Sequence, residues 1–400
     1  MACRGNRELI QRARSRSASP LPIPQHNGED VFPLHLRVSM RIPVYLLLSF
    51  RWRRAMLIGT NGVSMSLRRV ALALASVTLS VILIALLIRV GKIDLRVTLY
   101  QLRAVRAIIL VKLILLYSLL IYLSTEKWRS IDAALRQASD FAPSRVTSFA
   151  VTGAGMALGL VIPVQLGMTA ARTLGMSIYG NTLRRGTAAT LFEQGFDVLT
   201  VVLLTAASAT TWFCGGGGLM WTISAAAMSA LALLAAAPSI RLIRWLASFA
   251  ARAEGQQFAP RTILRRFSKL QHSGVLSAAL ARRLAMLSIV RFAVVVLIAG
   301  QTAEAISAPI PLWRLAAAIP FVVLACVIAV TPGGLGVNEL TSAAALEIFG
   351  TPFSIGARWA IANRVLGVAA CFVAAALAAS LLGIKTLGAA VQRARPAKHL

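Results

Sequence analysis

The sequence predicts an all-α fold, a polytopic membrane helical bundle with two inverted-topology re-entrant helical hairpins. Three observations lead to this prediction. Of the 400 residues, 58% are hydrophobic and 14% are charged, whereas soluble domains carry about 25% charged residues. Several uncharged stretches are long enough to span a bilayer. Two of the apolar segments are interrupted by the same short block of proline, leucine and glycine.

Long apolar stretches mark the expected membrane spans. A helix needs about 20 mainly apolar residues to cross the hydrocarbon core of a bilayer. Four stretches meet this test without a charged residue: 70–88, 149–171, 219–240 and 365–384. Four more are shorter or contain ionisable residues: 107–123, 186–211, 284–300 and 315–331. We therefore expect a single transmembrane domain over residues 70–385.

Basic residues lie mainly outside these stretches and set the expected orientation. The net charge is +29, and an excess of lysine and arginine marks cytoplasmic segments. Residues 1–69, with 12 arginines and three acids, read as a basic, disordered cytoplasmic tail. The loop 241–283 and the tail 386–400 are also basic and expected inside, so both termini are cytoplasmic. The anionic inner leaflet, and not nucleic acid, is the partner that this charge indicates.

The repeated block has the pattern Pro-x-x-Leu-Gly. Its first copy breaks the chain at Pro163 and Gly167, and its second copy at Pro332, Gly333, Gly334 and Gly336. Proline and glycine interrupt helices, and an interruption inside a membrane is tolerated where the freed backbone lines a buried polar site. Two such breaks in corresponding places are typical of transporters with an internal duplication.

A count of membrane crossings makes each broken segment a hairpin. The uncharged loop 211–218 suits the outside, so residues 149–185 must begin and end inside. By the same count, residues 315–350 begin and end outside. The two hairpins therefore enter from opposite faces, which is the inverted arrangement of many transporters. One segment fits poorly, because residues 89–106 carry five basic residues and would face outside.

Ionisable residues inside spans are costly and are candidates for function. Glu193 and Asp197 lie four residues apart, so they share one helix face. They would hold an ammonium-bearing headgroup or carry a proton, or else pair with Arg291 or Arg364 to fix helix packing.

The second break offers a candidate phosphate site. Glu339 should lie in the first turn of the helix that leaves this break, where it caps the helix or contacts a ligand. Exposed N–H groups at a helix start bind phosphate, and Arg364 and Arg172 would add positive charge. We therefore expect substrate binding at five residues: Glu193, Asp197, Glu339, Arg364 and Arg172.

No metal, cofactor or catalytic group is predicted. The four cysteines are scattered, and the four histidines lie outside the expected spans. The sequence contains no Gly-x-x-x-x-Gly-Lys-Ser/Thr loop, which argues against ATP hydrolysis. These patterns favour a protein that is not an enzyme.

Three motifs resemble a known family. Residues 331–339 are similar to the Pro-Gly-Gly-Leu-Gly-x-x-Glu signature of the lysylphosphatidylglycerol synthase transmembrane-region family, the flippase-like integral membrane proteins. Residues 163–167 resemble that family's earlier Pro-Gly-x-x-Gly block, and residues 193–197 its Glu-Arg-x-x-Asp helix. The first copy departs from the pattern, because the family's block usually continues with Glu and a nearby Arg, whereas Met168 and Thr169 follow here.

The resemblance implies a multi-pass protein of the bacterial inner membrane, without the soluble synthase domain that some members carry. It implies lipid transport, namely the translocation or binding of a phospholipid or glycolipid with a polar or charged headgroup. The alternative is a non-transporting membrane partner of a glycosyltransferase or lipid-modifying enzyme.

Overall fold

The computed structural model describes residues 62–136, 142–162, 164–177, 183–252, 277–328 and 331–394. All regular structure in these ranges is helical, which confirms the predicted all-α class. The eleven α-helices within them are α1 (Gly62–Val90), α2 (Leu95–Arg103), α3 (Ala107–Leu135), α4 (Arg145–Leu158), α5 (Val164–Ser177), α6 (Leu183–Phe213), α7 (Gly218–Arg252), α8 (Ala278–Ala305), α9 (Leu312–Ile328), α10 (Val337–Ile348) and α11 (Phe353–Ala394).

Some predicted features lie outside the described residues: positions 1–61 of the tail, Pro163, positions 253–276 of the basic loop and positions 395–400. At three predicted boundaries the helix extends further than expected. α1 begins at Gly62, inside the predicted tail, α7 continues to Arg252, and α11 continues to Ala394. Arginine, leucine and alanine all favour helix. Basic residues therefore mark where an apolar span ends but do not end the helix.

Five helices are long and apolar enough to cross a membrane: Ala107–Leu135, Arg185–Phe213, Gly218–Ala236, Ala278–Ala305 and Phe353–Gly383. Two shorter helical stretches, Leu74–Val90 and Leu312–Val327, are also apolar. Large apolar side chains such as Leu115 and Leu234 remain exposed on these helices. A protein in water rarely exposes so much apolar surface, so lipid is the solvent that these faces require.

Each predicted break separates two short helices. α4 and α5 have 14 residues each, and α9 and α10 have 17 and 12. At 1.5 Å per residue each is shorter than the roughly 30 Å hydrocarbon core. The helix–break–helix pattern of the two hairpins is therefore present, at Arg145–Ser177 and Leu312–Ile348. Entry and exit of each hairpin by one membrane face stays a prediction.

The two breaks contact each other. Gly333 lies so close to Leu160, in the turn after α4, that a Cβ at this glycine would overlap the Leu160 carbonyl oxygen. Gly336 likewise lies close to Leu83 of α1, since a Cβ there would be 2.6 Å from the Leu83 Cβ. Small residues also let α4 approach α11, where Gly153 faces Ala375. The absence of side chains at these points allows the backbones to meet.

Residues 89–106, which fitted the topology poorly, contain the short helix α2. Asp94 caps it, with its Oδ1 accepting a hydrogen bond from the Arg96 N–H at 2.8 Å. The helix exposes Leu99 and Tyr100 beside basic residues. Apolar and basic side chains on one short helix are typical of a segment that lies on a membrane surface. The positive charge of this segment therefore does not require it to be a cytoplasmic loop.

We expect Gly333→Ala to lower the thermal unfolding midpoint of the purified protein in detergent. Gly333 has a φ of 56°, and a left-handed conformation costs an L-residue about 1–2 kcal/mol. The added methyl group would also displace the Leu160 carbonyl or Arg364. The matched control is Gly195→Ala in α6, where a Cβ meets nothing within 4 Å. An unchanged midpoint for Gly333→Ala, or an equal loss for Gly195→Ala, would contradict this account.

Candidate functional site

A buried ion pair joins the helix after the first break to the next helix. Both Nη atoms of Arg172 on α5 donate to the two carboxylate oxygens of Glu193 on α6. Arg172 also donates through Nε to the Thr152 hydroxyl at 3.3 Å and through Nη2 to the Ser124 carbonyl at 3.1 Å. The side chains of the pair are 1% and 4% exposed. Arg172 therefore links α3, α4, α5 and α6 in one network.

Asp197 is the centre of a second network, one helical turn along α6. Its Oδ1 accepts from the ammonium group of Lys127 on α3, and from the Ser288 hydroxyl on α8 at 2.9 Å. Its Oδ2 accepts from Arg291 Nη1 at 2.7 Å. Lys127 Nζ also donates to Ser288 Oγ at 2.7 Å. The pairing of Asp197 with Arg291 is one of the two roles that the sequence left open.

Lys127 is a site residue that the sequence analysis missed. The apolar stretch 107–123 ends before it, but α3 continues to Leu135. Leu120, Ser124, Lys127 and Ile131 are all buried, and their spacing of three and four residues defines one helix face. The signal was therefore a helical period that continues beyond the last apolar run. The Lys127 side chain is fully buried, and its ammonium group is paired with the Asp197 carboxylate.

Glu339 and Arg364 form a looser pair at the second break. Glu339 Oε2 accepts from the Gly336 N–H at 2.6 Å, which caps α10 as the sequence allowed. Glu339 Oε1 lies 3.6 Å from Arg364 Nε, too far for a hydrogen bond, and has no hydrogen-bond partner among the described residues. Arg364 Nη2 donates to the Gly333 carbonyl at 2.9 Å. The carboxylate thus serves the helix start while one oxygen stays available.

The backbone conformation of three glycines interrupts the helix at this break. Gly333, Gly334 and Gly336 have φ values of 56°, 70° and 82°, which glycine adopts without a steric penalty. Thr331 is 1% exposed, and its hydroxyl has no hydrogen-bond partner among the residues that the structure describes. Buried polar atoms are normally satisfied. Thr331 Oγ1 and Glu339 Oε1 are therefore two exceptions to this rule at the second break.

Comparison with known proteins decides the family. The family model described as "Lysylphosphatidylglycerol synthase TM region" matches residues 72–375. The chain belongs to this family. No curated protein and no solved structure matches it. Together with the apolar helices, family membership makes this a multi-pass membrane protein with a lipid-related role, as the sequence resemblance indicated.

The range matched to the family contains both breaks and all five predicted site residues, and it has the same plan in each half. After the first break, Arg172 on the short helix pairs with Glu193 on the long helix that follows. After the second break, Glu339 on the short helix pairs with Arg364 on the long helix that follows. The two halves therefore place an ion pair on corresponding helices with the charges exchanged.

The structure divides the five predicted residues into two groups. The first group is Arg172 on α5 with Glu193 and Asp197 on α6. Both acids are paired with cationic side chains of the protein. Glu339 and Arg364 form the other group at the second break. Within the described part of the chain no ion pair joins the groups. Only the second group has a carboxylate oxygen without a hydrogen bond.

Nothing in the described ranges resembles a metal centre, because no cluster of three or more His, Cys, Asp or Glu side chains occurs there.

Other ion pairs around the site join helices. Arg185 Nε donates to Asp132 Oδ1 at 2.9 Å, which ties the start of α6 to the end of α3. These contacts hold α6 in place beneath its two acids.

We expect Arg172→Gln and Glu193→Gln each to lower the stability of the protein strongly, and the double variant to lose less stability than the sum of the two single losses. Removing one partner of a buried ion pair costs about 3–5 kcal/mol, because the other charge is left unpaired. The double variant buries two neutral amides, so its loss should be smaller than the sum of the single losses. Thermal unfolding in detergent measures all three.

The control for this comparison is Arg106→Gln, which breaks a pair with Glu304 whose side chains are 70% and 42% exposed. Exposed pairs contribute about 0–1 kcal/mol, so this variant should unfold close to the wild type. Strictly additive losses at Arg172 and Glu193 would contradict the buried-pair interpretation.

Proposed function

We propose that this protein binds the polar headgroup of a membrane lipid at the second break and moves the lipid between leaflets. The observation that carries the proposal is the half-formed pair of Glu339 and Arg364. Both side chains lie in the protein interior, yet their closest atoms are 3.6 Å apart and one carboxylate oxygen lacks a hydrogen bond. Buried polar groups without partners are rare unless a ligand or water satisfies them.

Arg364 supplies the contact for phosphate. A guanidinium has five N–H donors in a planar fork that suits phosphate oxygens. Arg364 uses one of them on the Gly333 carbonyl, and its side chain is 17% exposed. Burial by surrounding apolar helices strengthens a charge-assisted hydrogen bond relative to water. The remaining donors would hold the phosphate of a lipid beside the break.

Glu339 supplies the contact for a donor on the same headgroup. Its Oε2 remains on the Gly336 N–H, so the carboxylate is held in one orientation. Its Oε1 would accept from a hydroxyl or ammonium group of the lipid. The pair thus recognises a headgroup that carries a phosphate and a nearby hydrogen-bond donor. Thr331, with its unused hydroxyl, offers a third contact.

The first group has a supporting role in this proposal. Glu193 and Asp197 already accept from Arg172, Lys127 and Arg291. They would act as counter-charges that keep these cations inside the protein, and Arg291, which is 28% exposed, would attract the phosphate. The role predicted for the acids thus changes from direct contact to charge balance.

Transport requires that the site open to each side in turn. In transporters with inverted repeats, one repeat rocks against the other around a central site. Here Gly333 of the second break touches Leu160 of the first, so a small displacement of either hairpin would widen the space at Arg364. The proposal needs no nucleotide hydrolysis and no covalent step.

A liposome assay tests the function. We expect the wild type to expose fluorescent phosphatidylglycerol of the inner leaflet to external dithionite, and Arg364→Gln and Glu339→Gln to slow this process about tenfold or more. A hydrogen bond to a charged group contributes about 1.5–3 kcal/mol, and tenfold corresponds to about 1.4 kcal/mol. The control is Lys112→Gln on the exposed side of α3, which should translocate at the wild-type rate.

Two outcomes would contradict the proposal. Wild-type rates in both variants would remove the second break from the mechanism. Absence of translocation by the wild type would favour the alternative function, a membrane partner of a lipid-modifying enzyme. Circular dichroism of each variant checks that the helices remain intact.

Cysteine labelling tests the inverted hairpins. We expect an impermeant maleimide to reach Leu166→Cys from the cytoplasmic face and Leu335→Cys from the outer face of oriented vesicles, in a background without other cysteines. Cys214 restored alone serves as the outer-face reference, because it is exposed in the uncharged turn after α6. Labelling of both positions from one face would contradict the inverted arrangement.

A further inference from the structure

A groove separate from the two breaks lies among α3, α4 and α11. It has a volume of about 200 Å³. Its wall is formed mainly by Tyr122, Val146, Phe149 and Leu381. The hydroxyl of Thr125, also on the wall, donates to the Ile121 carbonyl at 2.7 Å and is thus satisfied. The part of the groove formed by these residues is therefore mainly apolar.

One end of the groove is charged. Glu126 and Arg145 are part of its wall, and Glu126 forms ion pairs with three arginines, from α3, α4 and α8. Arg129 Nη1 is 3.1 Å from Glu126 Oε1, Arg145 Nε is 3.7 Å from the same oxygen, and Arg283 Nη2 is 3.8 Å from Oε2. The last two distances exceed a normal hydrogen bond. Arg145 and Arg283 thus keep their guanidinium donors for another acceptor.

The charges at this end do not balance. Three arginines face one glutamate, which leaves two positive charges, and Arg145 and Arg283 are 75% and 60% exposed. Two exposed guanidinium groups, that of Arg145 on the groove wall and that of Arg283 beside Glu126, complement a molecule with an anionic head and an apolar tail. Guanidinium groups bind phosphate oxygens in pairs of hydrogen bonds.

We propose that this groove binds an anionic phospholipid, with its phosphate on Arg145 and Arg283 and one acyl chain along Phe149 and Leu381. Pockets that enclose a drug-sized molecule measure about 300–1,000 Å³, so a groove of this size holds one stretch of an acyl chain and leaves the rest in the bilayer. The charge pattern of the sequence predicts the cytoplasmic side for this end. The lipid would come from the inner leaflet.

This site does not rest on the proposed transport function. It shares no residue with the Glu339 and Arg364 pair, and its occupation can be measured by binding alone. A lipid held here would lie between α4, which belongs to the first hairpin, and the long helix α11. It would stabilise the contact of these two helices whether or not the protein moves lipid.

Native mass spectrometry of the full chain in detergent tests the site with phosphatidylglycerol and phosphatidylcholine of identical acyl chains. We expect preferential retention of phosphatidylglycerol and a loss of about tenfold in its affinity for Arg145→Gln/Arg283→Gln. Leu381→Trp, which fills the groove, should reduce retention without a change of charge. Both variants are also made in the Arg364→Gln background, where the second break contributes less binding.

Two matched controls accompany these variants. Arg282→Gln removes a charge from the exposed neighbour of Arg283, and Phe372→Trp enlarges a side chain that is 46% exposed on the opposite face of the same helix as Leu381. Neither should alter phosphatidylglycerol binding. Equal retention of the two lipids, equal losses in the controls, or full competition by soluble glycerol phosphate would each overturn the proposal.

Discussion

The fold around the first break depends on one ion pair that is almost fully removed from solvent. An isolated charge in an apolar interior costs several kcal/mol even after relaxation, so Arg172 and Glu193 are tolerated only together. Their hydrogen bonds reach Thr152 on α4 and the Ser124 carbonyl on α3 as well. The position of the short helix α5 is therefore fixed by this ion pair as well as by packing.

The second break has the same parts arranged for a different purpose. Its acid lies on the short helix and its arginine on the long helix, the reverse of the first half. The acid also caps α10, so it cannot turn fully toward Arg364. The Glu339 carboxylate is shared between the start of α10 and Arg364. Its Oε2 accepts from the Gly336 N–H, and its Oε1 lies near Arg364 without a hydrogen bond. The second half therefore contains the acid whose hydrogen bonds are incomplete.

Sequence reasoning reached the broken helices and the acids because both have local signatures. Pro332 and its glycines cannot continue a helix, and the spacing of Glu193 and Asp197 is that of one helix face. The partners were harder to predict. Arg172 meets Glu193, and Gly333 meets Leu160, only after distant segments have packed. Lys127 was missed because the apolar run ends at Leu123, whereas the helix continues to Leu135 and buries Lys127 against its partner Asp197.

Charge balance connects the two proposed lipid sites. The interior networks contain four cations and three acids, namely Lys127, Arg172, Arg291 and Arg364 with Glu193, Asp197 and Glu339. The groove beside Glu126 likewise has more arginine than acid. A surplus of positive charge among apolar helices is costly unless an anion neutralises it. The phosphate of a lipid headgroup is the anion that a bilayer supplies. We therefore infer that bound lipid completes the electrostatics of this fold.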